Sequence, residues 1–252
     1  MNRSRIAALL IVLVGTGVFA SMVWTVWPFT TDDSFITFRY AQNLASGHGP
    51  TFNAGGPRVE GYTSVLWMVV MTVPHFLGWD AVLFSKVMGI VAMAGLGIVS
   101  FRFVVALTAF LEADLRLVAG SVTVLMLGLF VSTSVHAVSG METAMFAFVL
   151  QAFLYSGWMA LDRPGAGRFA VTAVFGLLTG LTRPEGNLAV VIGLAAAVGF
   201  LPRGDRLRFT AWMVGGYVVP GALYFWWRWQ FYGLLAPLPF YVKVGDPSAL
   251  PG

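Results

Sequence analysis

The sequence predicts an all-α, polytopic membrane protein of about seven transmembrane helices, with interfacial helices in the first outer loop. Three observations predict it. Of the 252 residues, 58% are hydrophobic and only 10% are charged, whereas a soluble domain carries about 25% charged residues. The mean hydropathy is +0.81. The apolar residues fall into runs near the roughly 17–25 residues needed to span a bilayer, separated by short segments rich in Gly, Pro and Arg. Nine Trp and 21 Phe suit a lipid-facing surface with interfacial anchors.

The first apolar run, 6–29, follows Arg3 and Arg5. Its length of about 24 residues exceeds the roughly 7–15 of a signal-peptide core, and no convincing small-residue cleavage site precedes Thr30. It reads as an uncleaved first span with a cytoplasmic N-terminus. A long polar segment, 30–62, follows. Later runs lie at 82–110, 117–138, 143–161, 169–182, 187–201 and 209–229. The 169–182 and 187–201 runs are short and borrow flanking residues.

One more apolar run, 63–79, contains Pro74 and His75. Charge parity decides its status. Arg163 and Arg168 flank one loop, and Arg203, Arg206 and Arg208 crowd another; both loops are expected in the cytoplasm. Counting back places 112–116 inside. Counting forward from Arg3 and Arg5 places 30–62 outside. The counts agree only if 63–79 does not cross and lies in, or dips into, the outer interface. Nine of the fifteen Lys/Arg then sit on the inner side. The rival is a real crossing at 63–79 with 82–110 folded as a hairpin, for which 29 residues are few.

Composition also excludes classes of function. The pI near 9.7 reflects Arg and Lys placed between apolar runs, where they set topology and meet anionic headgroups. No basic patch with interleaved aromatics suggests a nucleic-acid partner. There are no cysteines, so disulfides, thiolate chemistry and Cys-ligated metals are excluded. His48, His75 and His136 have no metal-ligand spacing. No Gly-rich strand-turn-helix phosphate loop occurs.

Five polar segments reach the outer face under this topology. Asp32-Asp33 is followed by Arg39 and Tyr40; on a helix over 32–45, Asp32, Phe35, Arg39 and Gln42 share one face. Arg58-Val59-Glu60-Gly61-Tyr62-Thr63 comes next. Then follow Ser139-Gly140-Met141-Glu142-Thr143, Thr182-Arg183-Pro184-Glu185-Gly186, and Tyr232-Gly233 through Pro237, Tyr241 and Lys243. Each later segment also has a plain structural reading: Pro184 suits a first helical turn, and Glu142 suits a helix N-terminus. His48, in Ser-Gly-His-Gly, fits a turn.

The block Asp32-Asp33-Ser-Phe-Ile-Thr-Phe-Arg-Tyr-Ala-Gln-Asn-Leu, with Gly47-His48-Gly49-Pro50-Thr51-Phe52-Asn53 and Val59-Glu60-Gly61-Tyr62-Thr63-Ser64-Val65-Leu66-Trp67, resembles bacterial GT-C glycosyltransferases. The likeness is to the branch that includes mycobacterial arabinofuranosyltransferases. Gly140-Met141-Glu142-Thr143, Leu181-Thr182-Arg183-Pro184-Glu185-Gly186 and Tyr232-Gly233…Pro237…Phe240-Tyr241-Val242-Lys243 match the same pattern in the same order. The resemblance therefore spans nearly the whole chain, 1–252, as a GT-C-type transmembrane domain. Its outer loop, 30–80, carries the acidic motif and the interfacial helix. Such proteins are usually much longer, so the C-terminal part of the family is expected to be absent.

The resemblance implies transfer of a sugar from a polyprenyl-phosphate donor to a hydroxyl of a glycan, lipid or protein acceptor, for assembly of a cell-envelope glycan or glycoconjugate. The enzyme would sit among the lipids of the bacterial plasma membrane with its site on the outer, periplasmic face. Asp32 or Asp33 would be the base, since the attacking hydroxyl must lose a proton. The other would orient the acceptor or help hold a metal. Arg39, Arg183 and Lys243 would receive the departing phosphate. Glu60, Glu142 and Glu185 would bond sugar hydroxyls, and Tyr40, His48, Tyr62 and Tyr241 complete the substrate-binding set. No cofactor is demanded. A divalent cation, Mg, Mn or Ca, would take the hard oxygens of Asp32, Asp33 and Glu142.

Two other classes compete. A transporter would line its path with ionisable residues inside spans, but only Lys86, Arg102 and Arg228 sit within or at the edges of spans. A non-catalytic membrane subunit that binds lipid-linked sugar would keep the polar motifs without turnover.

Overall fold

The structure is a computed structural model described over residues 3–238 and residue 241. Among the described residues it is helical, with no strand. This is an all-α membrane protein. Three helices are long and apolar enough to cross a bilayer: α1 (Arg3–Thr25), α5 (Ala81–Leu107) and α8 (Thr143–Asp162). A fourth crossing is formed if α6 (Ala113–Leu129) and α7 (Val131–Val138), bent by 65°, act as one. The sequence treats 117–138 as one span. The chain instead breaks at Phe130, which is extended at φ −80° and ψ 108°. The Thr133 hydroxyl donates across the break to the Leu127 carbonyl at 2.6 Å.

The chain forms two compact units, one of residues 1–31 and 85–155, the other of 32–84 and 156–252. In the first, α1 packs along α6 and α7. The backbones come close enough that a Cβ on Gly15 would lie 2.7 Å from Leu125 Cα, as small residues permit between membrane helices. Val23, Ala137 and Val138 form a buried cluster flanked by Phe19, Trp27 and Met93. Lys86 is only 5% exposed. Its ammonium donates to the carbonyls of Trp27 and of Phe29 (2.8 Å) and lies 5.3 Å from the Trp27 ring centroid.

The second unit opens with α2 (Asp33–Ala45), then α3 (Val65–Val70) and α4 (Thr72–Leu77). The Ser64 hydroxyl caps α3 by accepting from the Trp67 N–H at 3.3 Å. Gly78, at φ +69°, ends α4 in the left-handed region that glycine enters freely. Together α3 and α4 cover 65–77, which at 1.5 Å per residue is about 20 Å, short of the roughly 30 Å hydrocarbon core. Both pack on α2.

The same unit continues through α9 (Ala166–Thr182), α10 (Gly186–Phe200), α11 (Arg203–Met213) and α12 (Val219–Tyr232). At 17 and 15 residues, α9 and α10 rise about 26 and 23 Å. Phe169 and Phe209 meet edge-on at 5.3 Å within a core of Ala160, Ala173, Ala197, Leu201 and Met213. Val214–Val218 is a π-helical segment between α11 and α12. It contains Gly215 and Gly216 and stands just before Pro220, whose ring would crowd the carbonyl four residues earlier in a regular helix. Arg206 does more than set topology: its guanidinium donates to the carbonyls of Leu201 (2.9 Å) and Gly199 (3.1 Å) at the end of α10.

Candidate functional site

Asp32 and Asp33 stand at the N-terminus of α2, both exposed. The Asp33 N–H donates to Asp32 Oδ1 at 3.0 Å. A helix N-terminus favours carboxylates there. Beyond the acid pair α2 is anchored by Ser34, Thr37, Phe38, Tyr40, Ala41 and Asn43, all buried. Asn43 Nδ2 donates to the carbonyls of Thr51 (2.7 Å) and Phe52 (2.9 Å). Arg39 Nε donates to the Phe52 carbonyl at 3.1 Å, and its Nη1 to Gln42 Oε1 at 3.3 Å. The long polar loop is thus folded back on the helix that follows the acid pair.

Tyr40 is the pin. Its hydroxyl donates to the Val59 carbonyl at 2.6 Å and accepts from the Gly61 N–H at 2.9 Å. Burial pushes this phenol up; the Gly61 hydrogen bond opposes the shift and the nearby Glu60 charge adds to it. Tyr62 is also buried, and burial is the chief cause that raises its phenol. Its hydroxyl meets the Tyr232 hydroxyl at 3.1 Å, and Tyr232 donates to the Pro50 carbonyl at 2.7 Å.

Between these tyrosines lies a buried ion pair. Glu60 is 1% exposed and Arg228 4%. Arg228 Nε donates to both Glu60 oxygens, at 3.0 and 2.7 Å. Its Nη2 lies 2.6 Å from Oε2 but off the hydrogen-bonding direction. Its Nη1 donates to the carbonyls of Leu234 (3.3 Å) and Leu235 (2.9 Å). The Glu60 carbonyl accepts from the Leu238 N–H at 3.2 Å. Burial pushes the Glu60 carboxyl up, and the Arg228 hydrogen bonds and charge oppose that push. Arg228 therefore ties α12, the first polar loop and the segment after α12 into one knot.

Beside the knot is a cavity of about 600 Å³. Its wall is mostly apolar, with Leu177, Val218, Phe225 and Leu235 among the lining residues; Glu60, Arg228, Tyr224 and Asn187 supply polar groups. The Tyr217 hydroxyl, on the π-helical segment, donates to Asn187 Oδ1 at 2.9 Å. Asn187 Nδ2 donates to the Pro184 carbonyl at 3.1 Å. An apolar cavity with few convergent polar groups is the usual form of a small-ligand site.

The residues singled out from the sequence separate into groups. Asp32, Asp33 and Arg39 share α2 and are exposed, while Tyr40, Glu60 and Tyr62 are buried in the packing beneath the loop. His48 is exposed in a turn, its N–H donating to the Asn43 carbonyl at 2.9 Å. Arg183 and Glu185 pair at 3.8 Å beside Pro184, which lines the cavity. The Tyr241 hydroxyl accepts from the Ala236 N–H at 3.3 Å. Glu142 belongs to the other unit, buried at 3% exposure before α8. Lys243 lies outside the described residues.

Among the described residues there is no group of three or more His, Cys, Asp or Glu placed to hold a metal ion. Asp32 and Asp33 alone fall short of a protein-built cation cage.

Arg228, Asn187, Tyr217 and Tyr224 are absent from the set read off the sequence. Arg228 carried a signal, since a charge inside a span demands a partner. That this partner is Glu60, 168 residues away, is set by tertiary packing.

No protein-family model matches the chain, and no solved structure matches it. Among curated proteins, a terminal beta-(1->2)-arabinofuranosyltransferase of Corynebacterium glutamicum is 37% identical over 90 residues. The match covers 31% of this chain and 13% of that protein, so the chain spans only a small part of the relative's length. This partial likeness supports a glycosyltransferase at the family level.

Proposed function

We propose that the chain transfers a sugar from a polyprenyl-phosphate donor to an acceptor hydroxyl at the outer face of a bacterial plasma membrane. The observation that carries the reading is the partial likeness to an arabinofuranosyltransferase. The relative's name makes an arabinofuranosyl donor the first to try. The exposed acid pair on α2 and the apolar cavity of the same unit fit the chemistry.

The acceptor oxygen attacks the anomeric carbon, and the bond from that carbon to the phosphate oxygen breaks. The electron pair of that bond leaves with the polyprenyl phosphate. The acceptor proton passes to Asp32 or Asp33 and from there to water. Both carboxylates are exposed, so an acceptor reaches them without displacing packed side chains. Arg39 and Arg183 offer guanidinium donors to the phosphate as it departs. The cavity beside Glu60 and Arg228 takes the proximal isoprenoid part of the carrier. Thr63 and Val65, at the start of the expected interfacial segment, help line it.

The test is transfer of labelled sugar from a polyprenyl-phosphate donor in membranes that carry the full chain. Asp32→Asn or Asp33→Asn is expected to lower the rate by about 10²–10⁴-fold, the usual contribution of a positioned base. Wild-type transfer by the double variant would remove both carboxylates from the role.

A further inference from the structure

Of the three ionisable residues that the sequence places within or at the edges of spans, Lys86 and Arg228 are buried and held by protein acceptors. Arg102, on α5, is different. It is exposed, and among the described residues it has no ion-pair or hydrogen-bond partner. It lines a second cavity, of about 760 Å³, in the unit formed by 1–31 and 85–155.

This cavity runs between α1, α5 and the α6–α7 pair, with Val12, Phe19, Met93, Phe101 and Val124 among its walls. Arg102 is the one charged residue that lines it. The two threonines in the wall are turned inward: Thr16 donates to the Val12 carbonyl at 2.8 Å, and Thr133 to the Leu127 carbonyl at 2.6 Å. An apolar channel of this size lies within the roughly 300–1,000 Å³ of small-ligand sites. Arg102 stands five residues before the end of α5, where a long cationic side chain reaches the headgroup level and meets lipid phosphate.

We infer that this groove binds one anionic glycerophospholipid, an acyl chain lying along α1 and α5 and the phosphodiester on Arg102. Charge complementarity selects the occupant. The groove offers one cation and no carboxylate, which suits a headgroup with net negative charge and gives the cationic end of a zwitterionic one no counter-charge.

The full chain, reconstituted in vesicles of equal phosphatidylglycerol and phosphatidylcholine, is extracted and its retained lipid counted by native mass spectrometry. Phosphatidylglycerol is expected in excess over phosphatidylcholine. Arg102→Gln is expected to lower that excess about fivefold, the effect of one surface cation on an anionic lipid, and Arg102→Lys to restore most of it. A second variant acts through shape. Gly97 lines the groove, and a Cβ there meets nothing within 4 Å. Gly97→Leu is therefore expected to displace the lipid while helical content and melting stay near wild type. Equal retention of both lipids by the wild type, or undiminished phosphatidylglycerol in both variants, overturns the site. Stoichiometric displacement of phosphatidylglycerol by added polyprenyl phosphate overturns the glycerophospholipid assignment.

Discussion

Arg228→Met is expected to destabilise the protein by about 3–5 kcal/mol, the usual cost of breaking a buried ion pair from one side. The substitution leaves the Glu60 carboxylate at 1% exposure without its counter-charge. It also strips the donor from the Leu234 and Leu235 carbonyls. The Tm should fall by roughly 10 °C. Glu60→Gln is expected to cost less, because the amide oxygen still accepts from Arg228 Nε. The informative variant is the double one. Glu60→Leu with Arg228→Met removes both charges and fills the space with apolar atoms, a change that is often neutral at buried pairs. It should recover most of the lost stability. If the double variant is as unstable as Arg228→Met alone, the carbonyls of the 234–235 segment rather than the charge pair hold the knot together. Thermal unfolding in detergent, followed by circular dichroism, separates these outcomes.

Lys86→Met is expected to loosen the turn that leaves α1. The ammonium is the donor that the structure gives to the part-buried Trp27 and Phe29 carbonyls, and losing these bonds should cost less than about 1–3 kcal/mol, the penalty for a fully buried group left without its partner. Phe29 and Thr31 are held by their own N–H groups, to the Val26 and Ser139 carbonyls, both at 2.9 Å. The effect should therefore be local. Hydrogen exchange at 26–31 is expected to speed up while α5 keeps its protection. Lys86→Arg, which retains charge and donors, should stay near wild type. Unchanged exchange in Lys86→Met would show that packing on Trp27, not the ammonium, fixes this turn. The segment stands immediately before Asp32 and Asp33 in the chain, so the same variant should lower sugar transfer if those carboxylates act as proposed.

Much of the fold was legible because its signals are local. The run 6–29 and α1 (Arg3–Thr25) overlap over 6–25, and 32–45 and α2 (Asp33–Ala45) differ by one residue at the start. The run 63–79 appears as two six-residue helices. The bend at Phe130 was not read from the sequence: 117–138 is long enough for one span, and its only local mark is the polar Ser132-Thr133-Ser134 run just after the break, where the Thr133 hydroxyl bonds back to Leu127. The π-helical segment was marked only by Gly215, Gly216 and Pro220.

The candidate site was legible in part, for the same physical reason. A polar loop in a greasy chain announces itself, so the residues of 32–62 stood out. Their division into exposed Asp32 and Asp33 and buried Tyr40, Glu60 and Tyr62 depends on tertiary packing. Glu60 reads in sequence as a sugar-binding carboxylate; in the fold it faces Arg228 at the edge of the cavity. Tyr217 and Asn187 meet across 30 residues, and neither carries a motif of its own.

The most direct measurement is sugar transfer by the purified full chain in sealed vesicles, offered the same labelled sugar on a polyprenyl-phosphate carrier and, separately, on a soluble nucleotide. Label is expected on the acceptor hydroxyl from the lipid-linked donor and none from the nucleotide. Binding or movement of the lipid-linked donor without any transfer, or transfer from the nucleotide donor instead, would contradict it.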